Sequence, residues 1–326
     1  MVVLGTAVSL ILLVVMLIKL DWPTFRDAIQ RVSWPWLVLA GTVTVGGTLL
    51  RALRWTLIAG APAGQFRFFC HATNLGYLGS AVLPARAGEA LRMVSISRTA
   101  DLPMSQAVTS AVLDRLADLA MLATAMFIVA ATHGTDMLSR EVSLGIFTLI
   151  GVSLAALLMF LHKGRGYQPL VDAFSQKLPA VVGSRLPIWY AEAHDGLWPL
   201  RSRWRIGTVL AINLVVIASD YAAMWLVILA FGWTLPFWAA VTVGVFVAAG
   251  TSLPSAPGYV GVYQAACMLA LGIYGIDGAA AVAYAVVLQL LNLVVIVLLS
   301  TASMLDQHML TIRKAQGSPM SNVGCG

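Results

Sequence analysis

The sequence predicts an all-α polytopic membrane protein, with about six full transmembrane helices plus two re-entrant or broken helix hairpins in an inverted-topology repeat. Three observations carry this expectation. Of 326 residues, 60% are hydrophobic and only 10% charged, with mean hydropathy +0.87. A soluble domain carries about 25% charged residues, so the chain is too apolar for an ordinary cytosolic enzyme, a secreted disulfide scaffold or a disordered tail protein. Apolar runs near the ~20 residues a helix needs to cross a bilayer core recur along it. Two of the runs stop at the same pattern, Leu-Pro-x-x-x-Gly, at 83–88 and 253–258.

Residues 2–18 form the first candidate span. No basic segment precedes it and no A-x-A site follows, so a retained span is expected rather than a cleaved signal. The second, 35–57, opens at Trp34-Pro35-Trp36 and closes on Arg51, Arg54 and Trp55, residue types that anchor span ends at the interface. Spans at 144–161, 206–231 and 279–305 are straightforward. The stretch 106–131 is long enough to cross but contains Asp114, Arg115 and Asp118.

The interrupted runs read as hairpins. In the first, 66–83 is followed by Pro84, Gly88 and a helical run at 89–97; in the second, 237–253 is followed by Pro254, Pro257, Gly258 and a run at 259–274. Proline removes a donor and glycine admits special backbone angles, so helices end there. Broken backbone at membrane depth survives only where protein or a cavity covers it. Counting crossings brings the hairpins in from opposite faces, each between two full spans. Repeat 1 covers about 35–131 and repeat 2 about 206–305 of one transmembrane domain, 1–314. A cytoplasmic connector at 162–205 has amphipathic stretches at 167–178 and 188–200, and a disordered tail is expected at 315–326.

The net charge of +6 and pI near 9.5 follow from topology. By this crossing count, 13 lysines and arginines, Arg51 and Arg54 among them, lie on the side of the termini and four on the other. Both termini are therefore expected in the cytoplasm of a bacterial inner membrane, and nothing points to nucleic acid. Cys70, Cys267 and Cys325 are far apart without metal-ligand spacing, so no metal or cofactor is expected.

Ionisable groups inside a membrane are costly and mark cavities, pathways or pairs. Six lie close in sequence: Arg86, Glu89, Arg92, Asp114, Arg115 and Asp118; Asp220 lies deep in a later span. The helix beginning near Glu89 points its N-terminus into the membrane, where unpaired N–H groups favour an anion. Arg86 and Arg92 add forks that fit phosphate or carboxylate. The competing explanation is local: Glu89 offsets the helix dipole and pairs with Arg92 at i,i+3. Asp114 and Asp118 share a helix face roughly 12 and 18 Å into their span at about 1.5 Å per residue. They are either a charged lining, one carboxylate exchanging a proton, or an ion-pair network with Arg86, Arg92 or Arg115. Asp220 shares a face with Asn213, while Gln264, Gln289 and Asn292 suit interhelical hydrogen bonds. Arg51 and Arg54 fit interface anchors or ligands.

Four motifs resemble a known family. They are Arg51-Ala-Leu-Arg54-Trp55; Asn74 through Leu83-Pro84-Ala-Arg86-Ala-Gly88-Glu89-Ala-Leu-Arg92; Asp114-Arg115-Leu-Ala-Asp118; and Leu253-Pro254-Ser-Ala-Pro257-Gly258-Tyr-Val-Gly261-Val-Tyr-Gln264. In this order, over nearly the whole chain, they resemble the flippase-like, or lysylphosphatidylglycerol synthase transmembrane region, family. The resemblance implies an inner-membrane protein that moves a lipid between leaflets, a transporter with no assigned catalytic residue. The family more often has glutamate where Asp114 stands. No soluble aminoacyl-transfer domain follows the last span, so synthesis of lysyl-lipid is not implied. Stand-alone relatives have been linked to hopanoid and polyprenyl-lipid pathways. The expected partner is a membrane lipid, with a lipid-modifying enzyme as a second candidate. Two other functions fit the composition: a membrane glycosyltransferase using a polyprenyl-phosphate sugar and an acid such as Asp21 or Asp27, or a non-transporting scaffold for a lipid or polysaccharide synthesis complex.

Overall fold

A computed structural model of the chain describes residues 20–83, 87–133, 168–179, 183–196, 202–252 and 257–316, together with isolated positions elsewhere. The expected spans 2–18 and 144–161, the residues Pro84, Arg86 and Pro254, and positions 317–326 of the expected tail lie outside the described residues, as does the side chain of Pro257.

Among the described residues the chain is helical and contains no strand. A short helix, α1 (Trp22–Gln30), precedes the first long one, α2 (Trp34–Ile58). The first hairpin is α3 (Phe66–Val82) and α4 (Ala87–Thr99), followed by α5 (Met104–His133). The connector contributes α6 (Gln168–Ser175) and α7 (Leu186–Gly196). Then come α8 (Arg203–Ala230), the second hairpin of α9 (Phe237–Ser252) and α10 (Val262–Gly272), and α11 (Gly278–Gln316). Three helices are long and apolar enough to cross a membrane: Trp34–Ile58, Trp204–Ala230 and Gly278–Gln307. Together with the apolar α9 and α10, they make this a multi-pass membrane protein. The last helix is longer than its expected span because residues 306–316 contain no glycine or proline, and the first breaker comes at Gly317.

Glycines set how closely the helices approach. In the first hairpin, a Cβ on Gly88 would stand 2.0 Å from the Gly76 carbonyl oxygen and 2.4 Å from the Ser80 nitrogen. Backbone therefore meets backbone, and α3 and α4 form one unit. Gly47 of α2 faces Ser219 of α8, where an added Cβ would come within 2.6 Å of the hydroxyl. Small residues let helices associate in lipid, where apolar surface alone gives no preference for a neighbouring helix over a lipid tail.

The long helices α2 and α8 pack along their lengths, antiparallel: Ser33 at the start of α2 donates to the Ala230 carbonyl at the end of α8 at 2.8 Å. The remaining helices pack in matching sets. As α2 touches α3, α8 touches α9; as α3 pairs with α4, α9 pairs with α10. The exchange holds between sets too, because α5 packs on α9 and α11 on α3. Left-handed residues close equivalent helices: Gly60 and Gly232 after the long helices, Asp101 and Gly275 after the second hairpin arms. The residues after the second break meet the end of α3. Gly258, at φ +69°, lies against the Ala81 carbonyl near the end of α3, and an added Cβ would be 3.7 Å from it.

At the second break the interrupted backbone is satisfied by two glutamines. Gln264 Oε1 accepts from the Gly261 amide at 2.7 Å, Gln264 Nε2 donates to Gln289 Oε1 at 2.6 Å, and Gln289 Nε2 donates to the Gly258 carbonyl. Gln289→Leu would strand both the Gly258 carbonyl and the Gln264 amide. It should destabilise the protein by ~1–3 kcal/mol, the cost of unsatisfied buried groups, read as a lower melting temperature in detergent.

The main core lies between the end of α8, the second hairpin and α11, built on Val227, Ile228, Cys267, Leu271, Tyr284 and Leu288. A second cluster, around Trp55, Phe69, Ile96 and Ala107, fastens the first hairpin to α2 and α5. In the connector, parts of the two expected stretches are helical, as α6 and α7. Leu170, Phe174, Ile188 and Trp189 are exposed, and Glu192 of α7 accepts a hydrogen bond from Ser105.

Candidate substrate-binding site

The packing of α2, α4, α5 and α8 brings most of the intramembrane charges together. Arg51, Arg54 and Trp55 share one face of α2 by helical spacing. Arg54 has no exposed surface and is the hub. Its Nε donates to Asp114 Oδ1 at 2.8 Å, its Nη2 lies 2.8 Å from Asp118 Oδ1, and its Nη1 donates to the Asn213 side chain. Arg92, equally buried, donates from Nη2 to Asp114 Oδ2 at 2.6 Å. Its guanidinium lies 4.1 Å from the Trp55 ring centroid, and the Trp55 indole donates to Ser110 at 3.0 Å. One carboxylate, Asp114, thus holds two arginines from two helices, with an aromatic face against Arg92, whose buried Nε has no hydrogen-bond partner among the described residues.

Around this dry centre runs a more open shell. Arg115 pairs with Glu89 and, at 3.2 Å, with Asp118; Arg51 pairs with Asp220. These five side chains keep 20–38% of their surface exposed, whereas Arg54, Arg92 and Asp114 keep at most 4%. Asp118 is also an electrostatic neighbour of Arg51 and Asp220, so the two parts of the shell are continuous. Glu89 sits 3.8 Å from Arg92 at i,i+3, as the sequence suggests, but its closer partner is Arg115 on α5.

Of the sequence-expected site residues, Arg51, Arg54, Glu89, Arg92, Asp114, Arg115, Asp118 and Asp220 therefore occupy one network. Gly88 is the contact that seats α4, Gly258 is at the second break, and Arg86 is outside the described residues. Interface anchoring does not describe Arg51 and Arg54: they point inward and are paired, because α8 presents Asn213 and Asp220 opposite them. That changes the internal charge balance. The sequence count placed both arginines on the cytoplasmic surface, whereas the network of described residues has four arginines and four carboxylates. Asn213 has the interhelical role expected of it, accepting from Arg54 and donating to the Ala117 carbonyl at 3.3 Å. Asn292 instead bonds within its own helix, to the Leu288 carbonyl.

Tyr77 of α3 was not singled out in the sequence. It is half-buried and an electrostatic neighbour of both Arg51 and Arg115. The available signal was its position three residues after Asn74, on the same face of the helix.

The second hairpin is also tied to the helix that follows it, by neutral groups. Where Arg92 of α4 donates to Asp114 of α5, Gln264 of α10 donates to Gln289 of α11. Both bonds join a hairpin's second arm to the next long helix, one with charged groups and the other with amides. Among the described residues no cluster of three or more histidine, cysteine or acidic side chains is placed to hold a metal ion. A chain of guanidinium–carboxylate pairs, dry at its centre and accessible at its edge, is suited to exchanging partners with a charged headgroup.

No curated protein and no solved structure matches the chain. The family model for the lysylphosphatidylglycerol synthase TM region matches residues 2–300, which include every member of the charged network. This agrees with the four motifs and with the helices that carry them, and the chain belongs to the lysylphosphatidylglycerol synthase transmembrane region family.

Proposed function

We propose that the protein is a lipid translocase of the bacterial cytoplasmic membrane, moving a phosphate-bearing or otherwise polar-headgroup lipid between leaflets, with both termini in the cytoplasm. One observation carries the proposal: a set of ion pairs inside an apolar helical body, dry at Arg54, Arg92 and Asp114 and accessible at its edge. Ion pairs needed only for folding have no reason to keep an open edge at membrane depth, where exposure of charge is costly. The antiparallel α2 and α8 and the matching packing of the two helix sets support an inverted-topology repeat, the arrangement in which broken helices flank a substrate site. In that scheme Glu89, Arg115, Asp118, Arg51 and Asp220 meet the headgroup while Arg54, Arg92 and Asp114 hold the frame.

The test is reconstitution into liposomes containing quenchable fluorescent lipids of several headgroups. The protein should raise the fraction of inner-leaflet lipid that becomes quenchable above that in empty liposomes. Arg115→Gln, at the accessible edge, should reduce the rate by at least ~10-fold, the loss of about one charge-assisted contact. No excess over empty liposomes with any headgroup sinks the proposal. The glycosyltransferase alternative is less well supported, because Asp21 accepts a hydrogen bond from Thr24 at the start of α1, at 2.7 Å, a local contact that α1 itself explains. A scaffold would tolerate neutralisation of the accessible shell, so unchanged function in Arg115→Gln would favour it.

A further inference from the structure

One donor of the dry centre is left open. Arg92 Nη2 is taken by Asp114 and the guanidinium face by Trp55, yet its Nε is buried and without a hydrogen-bond partner among the described residues. Folded proteins rarely leave a buried donor unmade, least of all on a charged group. Glu89 Oε2 stands 3.8 Å from that nitrogen, one turn earlier on α4, so a movement of about 1 Å would bring it to hydrogen-bond distance. Glu89 is instead engaged through Oε1 by Arg115 of α5. Glu89 and Arg115 are both partly accessible, whereas Arg92 is not. The pair can therefore be opened from the edge of the site, and the unfilled donor lies behind it.

The two carboxylates on Arg115 differ in what else holds them. Asp118 Oδ2 lies 3.2 Å from Arg115 Nη1, and its other oxygen lies 2.8 Å from Arg54, so Asp118 is fixed to the frame. Glu89 has no second bond of that kind in this arrangement, only the open Nε within reach. An anion arriving at Arg115 competes with Glu89 for the same guanidinium. A carboxylate displaced into apolar surroundings without a partner is strongly disfavoured. Here the displaced carboxylate gains the missing bond to Arg92, so the exchange leaves no ion unpaired. The planar fork of arginine favours an oxyanion such as phosphate as the incoming group.

We infer that Arg115 is the phosphate-binding position of the site and that Glu89 is its internal competitor, giving up Arg115 to the incoming phosphate and moving onto Arg92 Nε. The inference rests on the translocase proposal for its setting, but its test requires only equilibrium binding. The full chain in detergent is titrated with short-chain phosphatidic acid, inorganic phosphate and short-chain diacylglycerol and read by isothermal titration calorimetry. Glu89→Gln removes the competing charge and should bind phosphatidic acid ~10-fold tighter than wild type, the value of one charge-assisted contact. A Glu89 that only fastens α4 to α5 predicts the opposite, weaker or unchanged binding. Arg115→Gln should weaken binding by at least ~10-fold, alone and combined with Glu89→Gln. Arg92→Lys keeps a cation for Asp114 but has no Nε donor. It should weaken binding when Glu89 is present and have no effect in the Glu89→Gln background, where no carboxylate has to be accommodated. Diacylglycerol, which lacks the phosphate, should bind all variants alike. Inorganic phosphate that follows the same order of variants identifies phosphate itself as the ligand; phosphatidic acid alone doing so identifies a lipid headgroup. Glu89→Gln that binds no tighter than wild type overturns the inference, as does Arg115→Gln that binds like wild type. Those two variants decide it even if Arg92→Lys does not fold. Tighter binding by Glu89→Gln without flipping in liposomes would defeat the translocase proposal and leave this one standing; flipping without that gain in binding would do the reverse.

Discussion

Asp114→Ala is expected to be the most damaging single substitution in the protein. It leaves Arg54 and Arg92, both fully or nearly fully buried, facing each other without their shared carboxylate. Removing one partner of a buried ion pair costs about 3–5 kcal/mol, and here two cations lose the same partner. The variant should give little monodisperse protein in detergent, with a sharply lowered melting temperature in whatever is recovered. Arg51→Ala provides the contrast. Its pair with Asp220 keeps 20 and 34% of its side-chain surface accessible and only one carboxylate loses its partner, so the substitution should destabilise the protein less than Asp114→Ala and show more of its defect in lipid movement. Equal destabilisation by the two substitutions would contradict the division into a dry centre and an open shell.

The second large effect is expected from one methyl group. Gly88→Ala would put a Cβ 2.0 Å from the Gly76 carbonyl oxygen, 2.3 Å from the Ser80 hydroxyl and 2.4 Å from the Ser80 nitrogen. Two of these are backbone atoms that no rotamer change can move, so α4 must shift away from α3. Overpacking of this kind typically costs ~1–3 kcal/mol. The functional loss should exceed what that stability change implies, because α4 carries Glu89 and Arg92 away from Asp114 and Arg115. Gly207→Ala on α8 is the matched control. Nothing lies within 4 Å of its added Cβ, and alanine is the better helix former by up to ~1 kcal/mol. Thermal unfolding and the liposome assay on both variants, side by side, decide whether the close approach of α3 and α4 matters as described.

Much of this architecture could be anticipated from the residues, for identifiable reasons. The stretches 84–88 and 254–258 are conspicuous because proline and glycine act locally, and α3 ends at Val82 and α9 at Ser252, just before the two prolines. Glu89, Asp114, Arg115 and Asp118 stood out because charge is conspicuous in an apolar run. Partner choice was harder to anticipate. Arg51 and Arg54 near the end of a span have the same one-dimensional signature whether they reach to the interface or turn inward. The difference is made by Asp220 and Asn213, more than 150 residues later, on a helix running the other way. Tyr77 is harder still, since an aromatic residue in an apolar helix is ordinarily packing.

The glutamine bridge at the second break has an electrical consequence. Residues 237–274 contain no lysine, arginine, histidine, aspartate or glutamate, so that hairpin can shift within the bilayer without moving charge through the transmembrane field. Each elementary charge carried across 100 mV involves about 2.3 kcal/mol, and the second hairpin is exempt from that work whatever the membrane potential. Any voltage dependence of the protein's movements should therefore originate in the first hairpin and the helices bound to it.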